Sequence, residues 1–422
     1  MKEKKTVITY SIDPMKKYLR PFFSTRRLCI FAVIIFISIS PEIPLDIILP
    51  GSLQFTIRLE DILLLFILFF WFVVSTKYEV KVPLFINTFV IYLTLSFLLV
   101  LLNYIFFELS ILRSSFYWLK KLEFVFFGVI VANLIESERD LEFFIYSIFI
   151  GGCLNSIWAI YQVMTGEYGA LLSIMTKGTA YGTSLIGQPA VLASAGYYLP
   201  SVFLSFSLFL QTKKVRYFAI FLLFFFSMSG SISRSVIGGC VISLVAIVLY
   251  RLIKKRFFSV KWGYILLTLP ALILLSGYNS LLYKRFHLSA ILRGVLIRMD
   301  QWSGLLTRSL PHSLIGYGTG NLGFAIGFKE AHNFYLRTFI INGVLGLMVF
   351  LLFIGYVFKT SIYVYKESNN SIYDSVALSS ILTTLALMFT SLFQDVFINV
   401  KVSEMYWVLL GGLGGAYILI EQ

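Results

Sequence analysis

Phe334-Tyr-Leu-Arg-Thr-Phe-Ile-Ile-Asn-Gly-Val-Leu-Gly-Leu-Met-Val-Phe-Leu-Leu-Phe-Ile-Gly-Tyr-Val-Phe358 is a run of 25 residues with one charge, Arg337. About 20 apolar residues in helical form cross the hydrocarbon core of a bilayer. Inside that core only helices and closed barrels satisfy their own backbone. Comparable runs recur at approximately 28–49, 58–75, 83–104, 115–135, 140–164, 189–210, 215–231, 235–252, 260–277, 373–394 and 404–420, which makes about twelve spans. The chain therefore reads as an all-α, polytopic transmembrane helical bundle. In the first run, Pro41, Glu42, Pro44 and Asp46 break the pattern, so its second half is expected to be re-entrant or interfacial.

Composition agrees with that class. Hydrophobic residues make up 58% of the 422 residues and charged ones 13%, with a mean hydropathy of +0.86. A soluble domain carries about 25% charged residues. Cys29, Cys153 and Cys240 all fall inside apolar runs, form no CxxC or Cys/His cluster, and read as small packing residues. No internal repeat relates the two halves, which weighs against an inverted-repeat transporter.

The net charge of +14 is distributed in a way that speaks for membrane orientation and against nucleic acid. With the N-terminus in the cytoplasm, the cytoplasmic segments hold 21 Lys and Arg and the short opposite loops hold five. That bias is a positive-inside signal. It gives a basic cytoplasmic arm at 1–27 without a signal-peptide cleavage site, spans one to nine at 28–277, an extracytoplasmic loop at 278–332, and spans ten to twelve at 333–422.

The long loop gathers all three histidines, His287, His312 and His332. Its six Lys and Arg residues, Lys284, Arg285, Arg293, Arg298, Arg308 and Lys329, face only Asp300 and Glu330. Two carboxylates are too few for a Mg²⁺ or Ca²⁺ cage, and no DxD, HExxH or GxSxG occurs. The expected chemistry is metal-independent, with arginines neutralising an anionic leaving group. The stretch 289–310 mixes apolar and basic residues and suits an amphipathic helix at the outer interface.

His332 and Asn333 stand at the start of the 334–358 helix. Asn is a good N-cap, and a helix N-terminus disfavours the imidazolium form of a nearby histidine. A neutral imidazole can accept a proton from an attacking hydroxyl; the plainer alternative is a surface histidine that bonds locally. Gly316-Tyr-Gly-Thr-Gly-Asn321 could gather N–H groups into an anion cradle or simply make tight turns. Arg298 is suited to a two-pronged grip on a diphosphate or to a lipid headgroup. Arg234 lies in Ser229-Gly-Ser-Ile-Ser-Arg-Ser235, a small-residue break between two runs, beside a helix start that favours anions. Within spans, Lys120, Lys121 and Glu123 are expected near one membrane face, Arg337 lies on the helix face of Asn333, and Asp395 and Glu404 are candidate ion-pair partners for the cations.

Taken in order, Ser229-Gly…Ser-Arg234-Ser, Arg298…Trp302, Ile315-Gly-Tyr-Gly-Thr-Gly-Asn321, His332-Asn-x-Tyr-Leu336 and Asn342-Gly-Val-Leu-Gly-Leu347 resemble the O-antigen ligase/polymerase superfamily. The resemblance is specific over about 180–357 and only topological before it. It implies a GT-C-like glycosyltransferase of the bacterial inner membrane with its working loop outside the cytoplasm. The donor would be a glycan on a polyprenyl diphosphate, typically undecaprenyl diphosphate, with no nucleotide sugar, metal or other cofactor. Arg234 and Arg298 would bind the diphosphate and His332 would assist the acceptor hydroxyl. Gly316, Gly318, Asn321, Asn333 and Tyr335 are the expected substrate-contacting positions. The Phe-rich spans (42 Phe) could form a groove for the polyprenyl tail. Expected partners are a lipid-borne glycan acceptor, membrane lipids, a flippase and a chain-length regulator. The polymerase role is favoured, with a ligase acting on lipopolysaccharide core or protein as the alternative and a lipid-linked glycan transporter as a second.

Overall fold

The computed structural model describes residues 15–39, 42–49, 53–58, 62, 64–66, 80–107, 111–165, 192–230, 233–253, 288–319 and 331–422. The helices among them are α1 (Met15–Ile39), α2 (Leu84–Phe107), α3 (Ile111–Leu134), α4 (Glu138–Thr165), α5 (Leu199–Thr212), α6 (Val215–Gly230), α7 (Arg234–Ile253), α8 (Leu288–Ser309), α9 (Phe334–Glu367), α10 (Ser371–Ser391) and α11 (Val400–Ile420). Short 3-10 turns occupy Leu192–Tyr198, Leu310–His312 and Val396–Ile398.

Five segments are long and apolar enough to cross a membrane: Leu84–Ile105, Glu138–Ile157, Phe334–Glu367, Ser371–Ser391 and Val400–Ile420. Val215–Ser229 and Arg234–Tyr250 are shorter apolar helices. The protein is thus a helical, membrane-embedded one. The spans expected at 58–75 and 260–277 lie mostly or wholly outside the described residues.

The first run departs from expectation. The helix begins at Met15, inside the stretch read as a polar arm, and ends at Ile39. Glu42–Leu49 (β1) then pairs antiparallel with Leu53–Arg58 (β2), with Glu42 opposite Arg58 and Leu49 opposite Leu53. Pro41 and Pro44 explain the stop, since proline lacks an N–H and its ring clashes with the preceding turn. The isoleucine-rich residues that follow favour an extended chain.

α11 runs through the middle of the bundle, buried along nearly its whole length. Without a hydrophobic drive between helices in lipid, close backbone approach decides packing. Gly411, Gly412 and Gly415 meet that demand: an added Cβ would run into Val131, Phe144 and Ile135 respectively. An aromatic group fills the next layer, with Phe353 stacked on Trp407 at 5.5 Å and Phe89 edge-on to both at 4.8 Å.

Polar contacts sort to the two ends of the bundle. At one end, Arg27 Nε donates to Asp140 at 2.6 Å, Arg26 pairs with Glu136, Asn133 bonds the Lys81 backbone, and Asn370 bonds Glu138. At the other end lie Ser233, the 313–319 segment, Asn333 and the α10–α11 connection. The second set contains the residues that the sequence singles out for chemistry.

Candidate functional site

α9 owes its start to Asn333, whose Oδ1 accepts the Leu336 amide at 2.9 Å. Just before it, His332 is half-buried with a left-handed backbone (φ +49°). Such a conformation is uncommon outside glycine, although histidine is among the residues that tolerate it. It fixes the direction in which the imidazole leaves the chain. Two residues on, Tyr335 Oη donates to the Met388 carbonyl at 2.9 Å, so this expected substrate contact ties α9 to α10.

α8 confirms the helix expected at 289–310. It reaches the His332 region through Trp302, whose Nε1 donates to the Ala331 carbonyl at 3.0 Å. Leu305, Ala331, Leu336 and Ile340 form a small apolar cluster beneath that bond. Leu292, Leu296, Ile297, Met299 and Leu306 are exposed on α8. Arg298 lies four residues before Trp302 and therefore on the same face. Burial holds its guanidinium below the ordinary value, and the positive charge of Arg234 adds to the effect. Arg234 opens α7, which is docked on the end of α10: Gln394 Nε2 donates to Ser233 Oγ at 3.4 Å and Thr390 Oγ1 to the Ser235 carbonyl at 3.2 Å. Two arginines from separate elements thus share one electrostatic neighbourhood.

The described part of the glycine segment, residues 316–319, bonds to the chain around it. Gly316 N–H donates to the His312 carbonyl at 2.7 Å, Tyr317 N–H to Ile340 at 2.9 Å and Gly318 N–H to Ile341 at 2.8 Å. The acceptors Ile340 and Ile341 are available because α9 breaks at Gly343 (φ +66°, ψ −172°). In return Val344 N–H, freed by the same break, donates to the Ser313 carbonyl at 2.8 Å. Glycine is required at both crossings: Gly316 has φ +67° and a Cβ there would lie 2.5 Å from the Ile341 carbonyl, while one at Gly343 would overlap Leu314. The N–H groups of Gly316 and Gly318 are thus engaged by the chain itself, through His312 and Ile341, as the tight-turn reading of this segment has it. Asn321 and His287 lie outside the described residues.

Beneath this stitch is a cavity of about 620 Å³. Its polar lining is Tyr92, Lys120, Lys121, Glu123, Thr319, Arg337, Thr338, Asn342 and Ser403, set in aromatic walls. Arg337 pairs with Asp395 at 3.3 Å; Lys120 pairs with Glu123 at 2.6 Å and stands 4.0 Å from Glu404. These are the ion pairs that the in-span charges suggested. A hydrogen-bond chain joins the loop to the bundle: Asn342 Nδ2 donates to Tyr92 Oη at 2.7 Å, Asn342 Oδ1 accepts from Ser96 Oγ at 3.2 Å, and Ser96 meets Thr319 at 3.0 Å. Lys121 Nζ completes it at 3.4 Å from Thr319 Oγ1. Sequence reasoning missed this chain. An asparagine inside an apolar run, Asn342, is the signal that points to it.

Gln394 and Asp395 join the two places. One contacts Ser233 beside Arg234 and the other pairs with Arg337 in the cavity wall. The arrangement offers two cationic positions and a histidine at one end of a lipid-embedded bundle, suited to an anionic group carried on a lipid. Among known proteins, the chain matches no protein-family model and no curated sequence.

Proposed function

We propose that the chain is a membrane glycosyltransferase that transfers a polyprenyl-diphosphate-linked oligosaccharide to an acceptor sugar hydroxyl. The observation that carries this reading is the make-up of one end of the bundle, where Arg234 opens α7 against the α10–α11 connection, His332 and Asn333 open α9, and Arg298 shares a face of α8 with Trp302, which bonds Ala331. A diphosphate satisfies two guanidinium forks, and its charge grows as it leaves, so the arginines stabilise the transition state more than the ground state. His332 takes the acceptor hydroxyl proton as the new oxygen–carbon bond forms at the anomeric centre. The carbon–oxygen bond to the diphosphate breaks, and lipid diphosphate departs with the electron pair.

The favoured role is the repeat-unit polymerase, in which the acceptor is itself lipid-linked, in a bacterial inner membrane with the working end outside the cytoplasm. Incubating purified protein with lipid-linked repeat units tests it: lengthened glycans support the polymerase. Products that form only when lipopolysaccharide core or protein is added identify a ligase instead. Movement of substrate without bond formation would sink the transferase reading in favour of a transporter. Clustering of the polar candidates at one end of the bundle weighs against that alternative.

A further inference from the structure

Three sides of α8 carry different residues. Arg298, Trp302 and Leu305 share one side by their spacing, and it meets α9: Leu305 packs with Leu336 and Ile340, and Trp302 bonds Ala331. Leu292, Leu296, Met299, Leu306 and Leu310 repeat at helical spacing on a second side and are between 43% and 66% exposed. The exposed charges Arg293, Asp300 and Arg308 lie on a third side, together with Ile297. The depth of α8 is set by α9. Residues 338–358 carry no charge and Arg337 precedes them, so the apolar layer of the membrane begins close to Arg337. Leu305 rests on Leu336 and Ile340, on either side of that level. Further along, Val344 N–H donates to the Ser313 carbonyl at 2.8 Å, which puts residues 310–314 beside the break at Gly343, inside the uncharged run. Leu310 and Leu314 are exposed there, as are Val344, Leu345 and Met348 of α9. The apolar side of α8 is therefore continuous with the side of α9 that faces lipid.

We infer that α8 is docked on the bilayer surface at that end of the bundle, with Leu292, Leu296, Met299, Leu306 and Leu310 seated in the lipid. A helix with one apolar side and charges on another lies in the plane of the interface, its apolar side about 5–10 Å into the headgroup–acyl boundary. A second copy of the chain would also cover the stripe, but it would not account for the stripe running on into the lipid-facing side of α9. Seated in this way, α8 is held from two directions, by the bilayer and by the bond from Trp302 to Ala331. Arg298 is carried on the side turned towards α9. The inference rests on the membrane-embedded class and not on the transferase reading, and its test needs no turnover.

The experiment labels the unaltered protein in phosphatidylcholine vesicles with two probes and maps both by peptide mass spectrometry. One is a lipid-soluble aryl diazirine photolysed within the bilayer; the other is hydroxyl radical generated in the water. The diazirine is expected to modify Leu292, Leu296, Met299, Leu306 and Leu310 and to miss Arg293, Ile297 and Asp300. Met299, whose thioether is open to oxidation when wet, is expected to escape the radicals. Met299→Glu puts a charge into the apolar layer and is expected to cut diazirine labelling of Leu296 and Leu306 by about tenfold. Ile297→Glu, on the charged side, is expected to leave that labelling unchanged. Both positions are exposed, so neither change disturbs packing within the fold. The inference is overturned if the radicals reach Met299 as well as the diazirine does, or in its place, since the stripe is then in water. It is overturned equally if neither probe reaches the stripe, since a protein surface such as a second copy then covers it, or if Met299→Glu is labelled like the parent.

Discussion

The amide of Gly318 donates to the carbonyl of Ile341 at 2.8 Å, replacing a bond that α9 loses where it breaks at Gly343. With Tyr317 on Ile340 and Val344 on Ser313, three bonds of the described structure cross between loop and helix at this point. In lipid a lost backbone bond costs several kcal/mol, so the break requires the loop and the loop is held by the break.

Gly343→Ala should therefore be severely destabilising. The left-handed backbone alone costs a side chain about 1–3 kcal/mol, and the Cβ overlap with Leu314 adds to it. Gly355→Ala, with open space around it, should be neutral or stabilising by about 0.5–1 kcal/mol. Thermal unfolding in detergent separates them; equal midpoints for the two variants would show that the break is not where the strain lies.

Asn333→Ala removes the cap of α9 at a cost of about 1 kcal/mol, and Asn333→Asp should restore it. Because His332 is the preceding residue, turnover should fall further than the loss of stability explains. A matched fall in both would reduce Asn333 to a purely structural part.

In the glycosyl transfer assay, His332→Ala should lower turnover by about 10²–10⁴, the usual worth of a positioned acid–base group. Arg234→Lys and Arg298→Lys keep charge but lose the two-pronged donor. Each should raise the donor KM, and the double variant should cost less than the two effects combined, because both act on one anion. Full additivity in that cycle would mean that the arginines hold different groups.

Trp302→Phe keeps the ring and removes the hydrogen bond to Ala331, at a cost of about 0.5–1.5 kcal/mol. Hydrogen exchange should rise across α8 and at Ala331–Asn333 while α10 stays protected. Unchanged exchange at Asn333 would show that α8 does not hold the start of α9.

The membrane class was legible because a run such as Leu84–Phe107, without one charged residue, announces itself. The first run is harder to read: Ile43, Leu45, Ile48 and Leu49 are as apolar as any span, and Pro41, Glu42, Pro44 and Asp46 are what distinguish a hairpin from the rest of a helix. In the sequence, Gly316 and Gly318 stand out as candidate turn positions. A positive φ looks the same in sequence whether the neighbouring amides face a ligand or a broken helix. What decides between them is Gly343, a separate residue in the middle of an apolar run. The cavity was the least legible part, since Lys121 and Thr319 meet across 198 residues of chain. Their charges and hydroxyls could be named one by one, but not placed around a common space.

The stitch also has a mechanical consequence. A helix interrupted by glycine would ordinarily act as a pivot, letting its outer third swing. Here the loop bolts that pivot from the side, so Phe334–Asn342 and Ser313–Thr319 travel as one rigid body or not at all. Arg337 and Asn342 ride on one part of that body and Thr319 on the other, so these three lining residues of the cavity keep their spacing. Trp302 ties the exposed helix α8 to that frame through the Ala331 carbonyl, so the frame also sets where α8 meets the start of α9.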